Sequence, residues 1–193
     1  MVYADILRPT VRRSALLYDA ALVLAGSLLI ALSAQIAVPL PFSPVPVTGQ
    51  TLAVLLVGAL LGSRRGSLAV LVYIAQGMAG LPVFAGGAAG PARLLGPTGG
   101  YLVGFVAAAY LVGLLAERGW DRRVSTTAAA MALGNVVIYA VGALWLAVFV
   151  GGLVPALTAG VMPFIPGDLV KIAIAALLLP AGWKLLGRRS SRS

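Results

Sequence analysis

Two stretches of the chain, residues 20–63 and 124–167, contain no Asp, Glu, Lys or Arg. Each is 44 residues long, room for two membrane crossings of about 20 residues plus a turn. Reading the apolar runs between breakers gives six helices: Leu16–Ala37, Gln50–Leu61, Ser67–Gly80, Gly99–Ala116, Ser125–Val150 and Gly167–Leu186. Pro39, Pro41, Pro44 and Pro46 end the first, because proline removes a helical donor and clashes with the preceding turn. The second helix is short, so part of the loop before it is expected to dip into the protein. Leu81-Pro82 ends the third. Residues 83–97 are too apolar for a surface loop and too rich in Gly and Pro for a helix. Irregular backbone at membrane depth is tolerated only when buried in protein or lining a cavity.

The basic residues give the orientation. Arg8, Arg12, Arg13, Arg64, Arg65, Arg118, Arg122, Arg123, Lys184, Arg188, Arg189 and Arg192 fall on one side of a six-crossing chain, twelve in all, and Arg93 and Lys171 on the other. An excess of Lys and Arg marks cytoplasmic segments, so both termini are expected in the cytoplasm. The loops 38–49, 81–98 and 151–167 then face outward and carry ten of the twelve prolines. Stiff, nearly uncharged outer loops suit a lid over a cavity; short Pro/Gly turns of the kind common in membrane proteins are the other reading. One transmembrane domain is expected over 1–193, with a short cytoplasmic segment at 1–15 and a basic cytoplasmic tail at 187–193.

Composition narrows the class. The chain is 61% hydrophobic and 10% charged, whereas soluble domains are nearer half apolar and a quarter charged. The net charge of +9 would suit nucleic acid in a soluble protein, but here the basic residues sit in short runs between apolar segments, so nucleic-acid binding is set aside. With no Cys and no His, disulfides, thiolate chemistry, a Ser–His dyad and nearly every transition-metal site drop out. There is no phosphate-binding GxxxxGK[ST] loop. Neither a catalytic residue, a metal nor a cofactor is expected. The first apolar run, Ala20–Val38, is 19 residues, longer than the roughly 7–15 of a signal peptide, so a transmembrane helix is expected there.

The few polar groups on the outer side become conspicuous. Asp168 and Lys171 are three apart in the first turn of the last helix, in mutual reach. An ionisable group in the hydrocarbon core costs about 2.5–3.5 kcal/mol on insertion scales and usually marks a substrate path; a structural ion pair with Asp168 capping the helix is the other reading. Arg93 lies in the apolar 83–97 segment without an acid beside it, and its guanidinium can fork onto a carboxylate; contact with a lipid phosphate is the other reading. Neutral partners are Thr48, Gln50, Gln76, Thr98, Tyr101 and Asn135. This set suits a small ligand with one carboxylate, a compact polar head and an apolar body. Small residues recur at spacing four at Ala21/Ala25, Gly58/Gly62 and Gly100/Gly104, which permits close helix approach.

Four blocks resemble signatures of the BioY family, the biotin-binding S components of energy-coupling factor (ECF) transporters. They are VPVTGQTLAVLLVGALLG from Val45, GLPVFAGG from Gly80, GPTGGYLVGF from Gly96 and PFIPGDLVK from Pro163. The resemblance spans roughly 16–186. It implies an all-α, six-helix S-component bundle with both termini inside, and a biotin site near the outer face closed by the helix 1–2 and 3–4 loops. The family's acid and lysine of the last helix fall on Asp168 and Lys171, its basic residue before the GPT block on Arg93, and its aromatic after it on Tyr101. Some relatives have an Asn near the end of helix 3 where this chain has Gln76-Gly77. The family's A-x-x-x-A contact with the transmembrane coupling protein falls on Ala21 and Ala25.

The function implied is capture of biotin at a bacterial cytoplasmic membrane, energised by a separate ECF coupling protein and a pair of ABC-type ATPases. A homo-oligomer is left open. Asp168 can accept ureido N–H groups and Lys171 can donate to the ureido oxygen, with a cation on the valerate carboxylate; the mirrored pose puts Lys171 on the carboxylate. The alternative is a self-sufficient secondary transporter in which Asp168 carries a proton.

Overall fold

The computed structural model describes residues 2–190, and side chains as far as Leu186; the expected basic tail, with Arg188, Arg189 and Arg192, lies outside the described side chains. Six helices form the body: α1 (Arg12–Ala34), α2 (Gln50–Leu61), α3 (Ser63–Met78), α5 (Gly99–Glu117), α6 (Val124–Val150) and α8 (Ile165–Ser190). A short helix, α4 (Ala92–Leu95), precedes α5, and α7 (Leu153–Gly160) precedes α8. By length and composition, α1, α5, α6 and the continuous stretch Leu153–Leu186 are each long and apolar enough to cross a membrane, and α2 is a shorter apolar helix.

Helix α5 is the centre, packed on α2, α3 and α6, with α1 against α2 and α3, and α8 against α6 and α2. Small residues permit this density. A Cβ on Gly58 would sit 2.6 Å from the Ala109 carbonyl oxygen on α5, and one on Gly66 would meet the Gly58 backbone at 2.8 Å. Gly100 and Gly104 lie likewise against Trp145 and Ile138 of α6. Of the three spacing-four pairs, only Ala21 and Ala25 turn outward, on an exposed face of α1 shared with Leu17, Leu24, Leu28 and Leu32. Apolar side chains on such a face are stable against lipid, where they would be costly against water.

Three connections differ from expectation. The proline-rich 38–49 segment is a β-hairpin: β1 (Ala37–Leu40) pairs antiparallel with β2 (Ser43–Thr48), with an irregularity between Val38 and Leu40 that takes up Pro39. A two-stranded ribbon has two free edges, so prolines that cannot donate to a ladder are tolerated. The expected loop 62–66 reduces to one residue, Gly62, whose φ of +86° sends the chain straight into α3. The 151–167 loop holds α7, started by two left-handed or extended glycines, Gly151 and Gly152, with Pro155 in the first turn, where no intrahelical donor is needed.

The two ends of the bundle differ in chemistry. At the end opposite the hairpin, Arg65 bridges Asp5 (2.9 Å) and Asp19 (2.8 Å), Arg8 pairs with Asp19 (2.7 Å), and Glu117 accepts from the amide and hydroxyl of Ser63. The segment before α1 is packed down: Val2 is buried, the Tyr3 ring lies 4.4 Å from Trp183, and the Tyr3 hydroxyl donates to the Leu179 carbonyl. Burial pushes the Tyr3 hydroxyl up to about 12. Asp121, in the turn between α5 and α6, is buried and accepts from Trp183 Nε1 at 2.6 Å. Its burial raises its pKa above the usual carboxylate range.

Candidate functional site: a closed cavity beneath the hairpin

Helices α2, α3, α5, α6 and α8 converge under the hairpin on a cavity of about 700 Å3, counted to its mouth, with about 70 Å3 open to the centre of a water molecule. Its wall is aromatic and aliphatic: Tyr73, Phe84, Tyr101, Phe105, Ile138 and Phe164. Polar groups converge at two places, deep on α8 and at the mouth. A mostly apolar cavity with a few fixed polar groups is the usual form of a small-ligand site.

The deep group is built around Asp168, 5% exposed at its side chain, in the first turn of α8. The helix N-terminus favours a carboxylate there. Asp168 Oδ1 accepts from Lys171 Nζ (2.7 Å) and from the Thr51 hydroxyl (3.1 Å), and Oδ2 accepts from the Tyr139 hydroxyl. A carboxylate has about four lone-pair positions, so Oδ2 retains one acceptor position. Lys171 is more fully committed. Besides Asp168, its ammonium donates to the Thr48 carbonyl (2.8 Å) and to Thr51 Oγ1 (2.8 Å). All three donors are thereby spent on protein, one of them on the last residue of β2.

The mouth is different. Arg93, carried by α4, lines both the cavity and a shallower hollow under the hairpin with Pro46 and Ala85. Its side chain is exposed, and among the described residues no protein acid pairs with it. Thr98 Oγ1 donates to the Arg93 carbonyl (3.2 Å), and Trp145 Nε1 to the Gly96 carbonyl (2.9 Å), which fixes α4 on the bundle. The hairpin is held by Ser43 Oγ donating to the Ala159 carbonyl of α7 (2.8 Å).

Asp168, Lys171, Arg93, Tyr101, Thr48, Gln50 and Thr98 all line the cavity. Tyr101 presents its ring, since its hydroxyl donates to the Gly160 carbonyl (2.8 Å). Gln50 is buried and donates to the Tyr73 hydroxyl (2.8 Å). Gln76 is not among the lining residues; its Oε1 is buried without a hydrogen-bond partner. Asn135 lies instead on a smaller chamber behind Lys171. Thr51, Tyr73 and Tyr139 join the site without having been singled out. Thr51 follows Gln50 directly, and Tyr139 is one helical turn from Asn135, so both were within reach of a search for hydroxyls in charge-free helices.

These features define a class: a helical membrane protein built around a mostly apolar cavity of small-ligand size, with polar groups deep in it and at its mouth. Comparison with known proteins refines it. The BioY family model matches residues 8–188, and the chain belongs to that family. It is 41% identical over 176 residues to the biotin transporter BioY of Rhizobium etli, covering 86% of this chain and 94% of that one. It is 46% identical over 167 residues to the biotin transporter BioY of Rhodobacter capsulatus, covering 79% and 86%. Among solved structures, it resembles the S component for biotin from an ECF-type ABC transporter, with a TM-score of 0.80, 25% identity and coverage of 91% and 95%.

Proposed function

We propose that this chain is the substrate-capture subunit of an ECF transporter, that it binds biotin in the cavity beneath the hairpin, and that it has no chemistry of its own. The observation that carries this reading is the division of polar groups between the two ends of one apolar cavity. Asp168 Oδ2 has an open acceptor position at the deep end, and Arg93 is an unpaired cation at the mouth. Biotin has the complementary form: a ureido ring with two N–H donors, an apolar thioether ring, and a carboxylate on a chain. The ureido N–H groups go to Asp168, the rings to Tyr73, Phe84, Phe105 and Phe164, and the carboxylate to Arg93. Because the Lys171 donors are taken, Lys171 serves chiefly to pair with and orient Asp168, which favours this pose over its mirror. Thr48, Gln50 and Tyr101 complete the wall, and Gln76 supports α3 from outside it.

In this reading the chain forms one transmembrane domain of six crossings in a bacterial cytoplasmic membrane. The hairpin end faces outward and both termini face the cytoplasm. The twelve-to-two division of basic residues supports it. A cysteine label at exposed Phe42 should react from outside, and labels at exposed Ser14 and Ser125 only from the cytoplasm; the reverse pattern would invert the assignment. The outward-facing Ala21 and Ala25 on α1 offer a close-approach surface for a transmembrane coupling protein, with a pair of ABC-type ATPases supplying energy. Reconstitution tests the role. The chain alone in liposomes should bind biotin and fail to concentrate it, and adding the coupling protein and ATPases should confer ATP-dependent uptake. Concentrative uptake driven by a proton gradient through the chain alone would instead make it a secondary transporter.

A further inference from the structure

Behind the deep end of the cavity lies a second, smaller chamber of about 170 Å3, with no space for the centre of a water molecule. Leu52 and Leu55 of α2, Met131 and Asn135 of α6, and Ile172 of α8 line it. Thr51 and Lys171 line both spaces. Asn135 is 5% exposed, and its Oδ1 is buried with no hydrogen-bond partner. Buried acceptors are normally satisfied, so each exception calls for an explanation. Water is excluded by size. Two donors share the chamber wall. The Thr51 hydroxyl is already given to Asp168, which leaves the Lys171 ammonium.

Lys171 has a reason to move. One of its three donors goes to the Thr48 carbonyl, at the end of β2. Lifting the hairpin removes that acceptor and strands a buried N–H. We propose that Asn135 Oδ1 is the second seat of the Lys171 ammonium, occupied when the hairpin lifts, so that Asn135 sets how fast the cavity opens and exchanges its ligand. The closed state satisfies Lys171 with Thr48 and leaves Asn135 bare; the open state satisfies Lys171 with Asn135 and loosens it from the Asp168 end of the site. The number of hydrogen bonds made by the ammonium is conserved across the movement, which lowers the barrier to opening. Asn135 is thus a positioning residue, acting on ligand through Lys171.

The inference rests on the cavity being the biotin site, and two readouts keep the claims separate. The first needs no ligand: the distance distribution between spin labels on Phe42→Cys, at the hairpin tip, and Val148→Cys, exposed near the same end of α6. The second is the biotin dissociation rate. Asn135→Leu removes the acceptor and should reduce the open population and slow dissociation about tenfold, the equivalent of one lost hydrogen bond. Asn135→Asp attracts the ammonium more strongly and should do the opposite. If Asn135→Leu fails to fold, Asn135→Ala replaces it with the same expectation. A residue that only supports packing would lower the melting temperature without the Leu and Asp variants moving the dissociation rate in opposite directions. Either readout moving the same way in both variants, or moving in neither, overturns the proposal. Label shifts as expected in a wild type that does not bind biotin would leave the switch standing and remove the biotin reading.

Discussion

The two ends of this bundle use charge in contrasting ways. At the arginine-rich end, Arg8, Arg65, Asp5 and Asp19 form a chain of ion pairs in which the Arg8 side chain is 43% exposed, Asp5 33% and Asp19 22%, with only Arg65, at 15%, as covered as Lys171. At the hairpin end a single pair, Lys171 and Asp168, is 17% and 5% exposed and meshed with Thr48, Thr51 and Tyr139. Exposed pairs contribute little, because water screens them and long side chains lose freedom in making them. A buried pair is unforgiving, since removing one partner strands the other. Charge at the first end therefore fastens neighbouring segments together. At the second end it is buried against the cavity, where an ionisable group is costly and usually marks a substrate path.

The largest expected effect comes from Asp168. Asp168→Asn keeps the shape and removes the charge, leaving Lys171 unpaired. Loss of a charged partner in a buried site costs about 2–5 kcal/mol, roughly thirty- to several-thousand-fold in affinity for biotin. Lys171→Met should fall in the same range. The double variant Asp168→Leu/Lys171→Met sharpens the contrast. If the pair only holds itself together, affinity should recover; if Asp168 touches ligand, affinity should stay at or below that of the worse single variant. Titration calorimetry on the four proteins decides it.

A smaller and more selective effect is expected at the mouth. Arg93→Lys keeps the charge and loses the fork, so biotin should weaken about tenfold while an uncharged biotin amide is nearly unaffected. Equal losses for acid and amide would take Arg93 off the carboxylate. Tyr139→Phe removes one hydrogen bond from Asp168 Oδ2, worth about 1 kcal/mol, and should weaken biotin severalfold without altering the preference for acid over amide.

The smallest effect belongs to the arginine-rich end and is one of stability. Asp121 is buried with one oxygen unpartnered, and its pKa is raised mainly by burial. A carboxylate with a raised folded-state pKa binds more protons folded than unfolded, so it lowers stability as pH rises from the ordinary carboxylate value through the raised one. Asp121→Asn keeps an acceptor for Trp183 and should raise the melting temperature by a few degrees at neutral pH. The gain should fade as pH falls and the wild-type carboxyl becomes protonated, and biotin affinity should not change.

Much of the body was legible from charge-free length. Helices α5 and α6 begin and end within one residue of expectation, and α8 starts two residues earlier and runs four residues further, because uninterrupted apolar sequence marks such helices. Asp168, Lys171 and Arg93 were legible for the same reason, as charges standing where charge is costly. The hairpin and α7 were not. Proline suppresses both helix and strand signals locally, and the segment's pairing of Val38 with Val47 leaves no alternating apolar pattern to read. Tyr139 was hidden because one tyrosine in a 27-residue apolar helix looks like core until Asp168 is folded against it. Gln76 shows the opposite case. Its polarity pointed to the cavity, but its place on α3 leaves it off the wall.

Biotin titrated into the purified protein and into its Asp168→Asn variant, in detergent and without nucleotide, tests the central claim most directly. Saturable one-to-one binding to the wild type, weakened at least thirtyfold by the substitution in a variant that remains folded, is the result predicted. No binding to the wild type, or binding of equal strength to both, would contradict it.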